Sequence, residues 1–226
     1  CAIWCNPCYS LIMALNINGT TGISGVDGSV SAPALTGTDS NTGITFPSAD
    51  TIKFSTGGVE RMSITNSGIS GITAGITMAD QWRITSNYTA NGAAALLANW
   101  ERNDNTGYAK IGTGMSESSG IFSFPSTGIY FIEFNARAYA NGGARSYAGI
   151  YIQTGISGSY SSIAEGYDSA SASGYYLNLT TSTIFDVTDT STHTVRLNVD
   201  TSGSTIYGGN TNINQTYVTF LRLGDT

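Results

Sequence analysis

Charge is scarce in this chain. Only 11% of its 226 residues are Asp, Glu, Lys or Arg, against roughly a quarter in an average soluble domain. Basic residues are the scarcest: nine Lys and Arg stand against fifteen Asp and Glu, a net charge of −6, and they form no run. Nucleic-acid binding needs a positive stripe that displaces counterions, so no nucleic-acid partner is expected. An anionic membrane surface is disfavoured for the same reason. Long apolar runs are missing as well. Leu11–Leu15 is far too short to cross a bilayer, and no membrane insertion is expected. No segment sustains a helical period; Ala93–Asn99 leaves open two turns of helix or a buried strand. Cysteine is confined to Cys1, Cys5 and Cys8, an odd terminal cluster that cannot staple the fold.

What remains is glycine, hydroxyls, amides and aromatics. There are 28 Gly, 13 Tyr and 11% aromatic residues overall. A disordered chain has few aromatics and a high net charge, so this composition points to a packed core under an uncharged polar surface. Short alternating strands, cut by Gly, Asn, Asp and Ser, make the class all-β.

Three zones follow along the chain. Residues 1–42 read as an extended N-terminal docking arm or connector, because their apolar residues are too sparse for a core. Residues 1–12 are expected either to lie outside the mature protein, Met13 being a natural start, or to carry a lipid on Cys1. Residues 43–78 read as a β-hairpin shaft or neck turning at Gly57-Gly58. One hairpin is marginal alone in water, so it is expected to find company, most simply in further copies of the chain. Residues 79–226 carry the core. Along Ile129–Ala140, Tyr130, Ile132, Phe134, Ala136, Ala138 and Ala140 share one strand face. The other face is apolar at Ile129 and Phe131 and polar beyond, as suits a strand half-covered by a neighbouring subunit. Val195, Leu197 and Val199 mark another strand, and Tyr217–Leu223 the last.

Two stretches carry resemblances. Thr42–Ile64 runs T-G-I-x-F-P…A-D-T-I-x-F-x-T-G-G-x-E-R, and this resembles a segment of bacteriophage tail-fibre and appendage proteins. The resemblance implies a shaft element on a virion, docked to other virion proteins through the N-terminal segment. Phe122, Pro125, Gly128, Tyr130 and Phe134 fill the pattern F-x-x-P-x-x-G-x-Y-x-F-x-F, with Ile132 where an aromatic is usual. This resembles the heads of the complement-component and tumour-necrosis-factor superfamily. It implies a C-terminal jelly-roll β-sandwich assembled as a homotrimer, with Phe122, Tyr130, Phe131, Phe134, Tyr217 and Phe220 as core or trimer residues. The spacing C-x3-C-x2-C also matches the cluster ligands of radical SAM enzymes, but the alternating strands and helices that follow it there are missing here.

No catalytic, metal or cofactor set stands out. His193, the single histidine, reads as a turn residue. Glu101, Asp104, Glu117, Glu133, Glu165, Asp168, Asp186 and Asp189 offer no evident glycosidase pair, and Glu133, mid-strand near Arg137, reads as a member of an ion pair at a subunit contact. Asp186-Val187-Thr188-Asp189 lacks the alternating acids and glycine of a calcium loop. With the location that the Thr42–Ile64 resemblance implies, the expected function is structural and adhesive, on the extracellular surface of a phage particle, and not enzymatic. A secreted or lipid-anchored bacterial adhesin is the alternative, and a tailspike glycan hydrolase a third reading. Tyr with Ser, Gly and Asn is a paratope-like mixture. Tyr160, Tyr175 and Tyr207 are the expected contacts to a host glycan or protein.

Overall fold

The computed structural model describes residues 16–18, 22–24, 27–72 and 75–226. The cysteines, Met13 and Leu11–Leu15 lie outside these. The chain divides into two compact units, Cys1–Thr73 and Ala74–Thr226.

The first unit holds β1 (Asn16–Asn18), β2 (Gly22–Ser24), β3 (Gly28–Ser29), β4 (Ala32–Pro33), β5 (Leu35–Thr36), β6 (Gly43–Thr45), β7 (Ile52–Thr56), β8 (Val59–Thr65) and β9 (Gly68–Ser70). Strands β7 and β8 form a hairpin over Gly57-Gly58, and both glycines have positive φ. The expectation that this hairpin leans on other copies is corrected in part. Its own chain supplies neighbours, in the five-stranded order β5-β6-β7-β8-β9. Gly43 lets β6 lie close to β5, since a Cβ there would strike the Leu35 carbonyl.

The second unit holds β10 (Met78–Ile84), β11 (Tyr88–Asn91), β12 (Ala95–Leu96), β13 (Trp100–Arg102), β14 (Ser116–Ser118), β15 (Ile121–Ser123), β16 (Gly128–Ala140), β17 (Arg145–Ile156), β18 (Ser159–Ala170), β19 (Tyr176–Val187), β20 (His193–Thr201), β21 (Ser204–Tyr207) and β22 (Thr216–Gly224). These thirteen strands form a seven-stranded and a six-stranded sheet, and eight of them make the sandwich frame. The first runs β10-β22-β16-β19, and the second β15-β20-β17-β18. In chain order the path passes from sheet to sheet at every step except the β17–β18 hairpin. This is a jelly-roll sandwich. The hairpin turns on Ser157 and Gly158, both at positive φ, as a two-residue primed turn requires. The segment Ala93–Asn99 contains the short strand β12, and Leu97 is fully buried.

The period-two pattern of β16 sets the core. Tyr130, Ile132, Phe134, Ala136, Ala138 and Ala140 are all buried, while every residue between them is half-exposed. From the second sheet Ala148, Ile150, Ile152, Val195, Leu197 and Val199 face them, all fully buried. Phe122 is the hub. Its ring lies 5.5 Å from Trp82, 5.5 Å from Trp100 and 5.2 Å from Phe220. Edge-on and tilted aromatic pairs of this kind add about 0.5–1.5 kcal/mol each beyond the area they bury.

Candidate interaction surfaces

The six residues expected in the core or at a trimer contact separate into two groups. Phe122, Tyr130, Phe134 and Phe220 are buried between the sheets. Phe131 and Tyr217 point the other way, onto the outer face of the first sheet. Cross-strand registers there join Ile184 to Phe131, Phe131 to Leu221, Leu221 to Ala79, and Ala79 to Ile111. This is an apolar row across the whole sheet. With strands about 4.8 Å apart it is roughly 19 Å wide. Ile184 is 63% exposed and Ile111 49%, so the row ends are open to water.

Beyond the row, the same face turns polar. Gln81 accepts from the Asn103 and Asn214 amides, both at 2.6 Å, and donates to Thr219 Oγ1 at 2.9 Å. Burial pushes the Tyr217 phenol upward, and the charges of Glu133 and Tyr108 add to it. Glu133 lies between Ser182 and Thr219 in register. Within the chain Glu133 and Arg137 do not pair. Four residues along a strand separate the two by about 13 Å, and Arg137 instead donates to Gln215 Oε1 at 2.7 Å.

Sequence reading missed a charge network at the edge of this sheet. Asp80 is fully buried on the core face of β10, where it accepts from Arg102 Nε at 3.0 Å, Trp82 Nε1 at 2.9 Å and the Met115 amide at 2.8 Å. Arg83, fully buried on the opposite face, pairs with Glu101 at 2.7 Å and Asp104 at 2.9 Å. Two acids weighed as catalytic candidates are thus occupied by one guanidinium. The signal was available in Asp80-Gln-Trp-Arg83, where two charges interrupt a strand otherwise fit for burial.

The tyrosines fare differently from one another. Tyr207, expected at a receptor contact, is fully buried, and its hydroxyl donates to the carbonyls of Gly149 and Asp200 at 3.0 and 2.9 Å. That expectation is corrected: Tyr207 ends strand β21, which pairs with both β11 and β16. Tyr160 is half-buried. Its ring lies over Gly155 beneath the Arg196 guanidinium, which is 4.0 Å from the ring centre. Tyr175 is 57% exposed, in the turn before β19. On the outer face of the second sheet Tyr151 and Tyr167 share a 2.8 Å hydroxyl contact, and Tyr167 reaches Glu165 at 3.1 Å.

His193 is 7% exposed, with Nδ1 2.9 Å from the Asp189 carbonyl and 3.0 Å from the Thr192 hydroxyl. The Asp189 carboxylate accepts from the Ser191 hydroxyl and amide, which hold its pKa below the usual carboxylate range. Among the described residues, no three His, Cys, Asp or Glu side chains gather as a metal site would require.

No family model and no curated protein matches the chain. Among solved structures, murine APRIL at pH 5.0 overlays with a TM-score of 0.49 at 11% identity, covering 65% of this chain and 98% of that one. Eiger TNF from S. frugiperda overlays with a TM-score of 0.49 at 10% identity, covering 66% and 94%. The jelly roll itself is carried by the strand order and registers given above.

Proposed function

We propose that this chain is a structural and adhesive protein of a bacteriophage particle, not an enzyme, and that its C-terminal head assembles as a homotrimer. The observation that carries the assembly is the apolar row Ile184–Phe131–Leu221–Ala79–Ile111 on the outer face of the first sheet. A contiguous apolar strip on a monomer surface marks a contact site. Here the occupant is the same head of two further copies. The three-fold arrangement and the virion location rest on the resemblances in Phe122–Phe134 and Thr42–Ile64. The mechanism is multivalent: three weak sites carried on one rigid head raise avidity without new contacts.

Light scattering tests the assembly. The expected mass is three times 23.6 kDa. Ile184→Asp, at an exposed position, is expected to reduce it to the single-chain mass without unfolding the head. A wild-type chain that stays monomeric would remove the trimer from this reading.

A further inference from the structure

The polar half of the same sheet face contains a cleft of about 470 Å³, within the size range of small-molecule sites. Asn135 and Arg137 of β16 and Asn178 and Thr180 of β19 form its floor, in the registers Arg137–Asn178 and Asn135–Thr180. The segment Ile213–Gln215 and Tyr217 form its wall. That wall is built in place. The Arg137 amide donates to the Gln215 carbonyl and the Gly208 amide to the Arg137 carbonyl, both at 2.8 Å. Asn210 Oδ1 accepts from the amides of Asn212 and Ile213.

Three lining residues each have a buried polar atom with no partner among the described residues: Asn135 Nδ2, Arg137 Nε and Asn214 Oδ1. Among the described residues, Arg137 is the only charged residue of the lining. It is also held in position, by Gln215 and by the face of Tyr176, whose ring centre is 5.3 Å from the guanidinium carbon. Tyr176 is 67% exposed beside the cleft and stacks edge-on against Tyr139. Glu133 stands on the other side, two residues along β16 from Asn135 on the same face. The lining thus offers a cation at one end and amides and hydroxyls beside it, with Glu133 outside the cleft. A flat aromatic ring borders it.

We propose that this cleft binds a carboxylate-bearing sugar. The carboxylate accepts from the Arg137 guanidinium, the charged donor of the lining, in a charge-assisted hydrogen bond. Ring hydroxyls bond Asn135, Asn214 and Tyr217, and Tyr176 covers an apolar sugar face. This adds a ligand class to the adhesive reading above and rests on it only for a role; the cleft itself lies within one chain.

Calorimetry with the full chain tests this, using a tetrasaccharide of glucuronic acid and its carboxyl-reduced counterpart as probes. Saturable binding of the acidic probe, at least about tenfold tighter than the reduced one, is expected. Asn178→Asp, an exposed change that sets a carboxylate opposite Arg137, is expected to weaken it by at least about tenfold. Arg137→Gln should do the same and Arg137→Lys should lose less, with melting curves and mass recorded for each. Equal binding of both probes, no binding of either, or full binding by Asn178→Asp would overturn the proposal. So would loss of the oligomer in Arg137→Gln without any sugar binding by the wild type, which would assign the cleft to a neighbouring copy. The Ile184→Asp chain separates the two readings: acidic-probe binding by a monomer keeps the sugar site whatever becomes of the trimer.

Discussion

Tyr207 shows how one side chain couples two sheets. It belongs to the first sheet through β21, yet its hydroxyl is spent on carbonyls of β17 and β20 in the second. Burial raises its pKa above the ordinary tyrosine value. The fold therefore holds the proton more tightly than the unfolded chain does. Stability from this group is complete below pH of about 10 and is lost as the pH rises through the higher folded value. Tyr207→Phe leaves two buried carbonyls short of a donor and is expected to cost about 1–3 kcal/mol at neutral pH. Above pH 10 its stability should fall less steeply than that of the wild type. Chemical denaturation at pH 7, 10 and 11 measures both effects. An equal alkaline slope in the two proteins would mean that Tyr151 and Tyr217, also raised by burial, carry the dependence instead.

At the scale of strands, two glycines of the second sheet make a controlled comparison. Neither Gly149 of β17 nor Gly166 of β18 has a positive φ, so their role is close approach. A Cβ at Gly149 would come within 2.7 Å of the Tyr167 ring. That ring is half-exposed and can swing out, giving up its contact with Tyr151. A Cβ at Gly166 would come within 2.4 Å of the Thr180 carbonyl. This is backbone of β19, where the edge strands of the two sheets meet, and it cannot move alone. Gly166→Ala is accordingly expected to destabilise by about 1–3 kcal/mol, as overpacking does, and Gly149→Ala by less. Thermal melts of the two variants rank them; the opposite order would locate the tight contact elsewhere.

For the molecule as a whole, the aromatic and aliphatic core lies within the second unit, where Phe122, Phe134, Phe220, Ile150 and Leu197 are fully buried. A unit with its own core can fold alone. A chain trimmed to residues 75–226 is expected to unfold cooperatively near the melting temperature of the full chain, read by circular dichroism. If it trimerises as well, the row on the first sheet suffices for assembly. A trimmed chain that aggregates or fails to melt cooperatively would show that residues before 75 complete the fold.

The all-β class and most of the long strands were legible in the chain, because a strand facing a core repeats every two residues and β16 keeps that period throughout its length. The apolar start of its second face, at Ile129 and Phe131, was legible for the same reason. The position of Tyr207 was not: the glycines and small residues around it read as a turn, and only pairing with β11 and β16 shows that it is strand and core. The charges at Asp80 and Arg83 were visible, but their partners 18 to 35 residues away were not. The cleft lay furthest from view. Asn135, Arg137, Asn178 and Asn214 are an ordinary scatter of polar residues along the chain, and the register of β16 with β19 and the return of the Ile213–Gln215 segment bring them together. Local periodicity determines which residues turn inward. Long-range pairing decides which polar groups meet, because that depends on contacts no single segment contains.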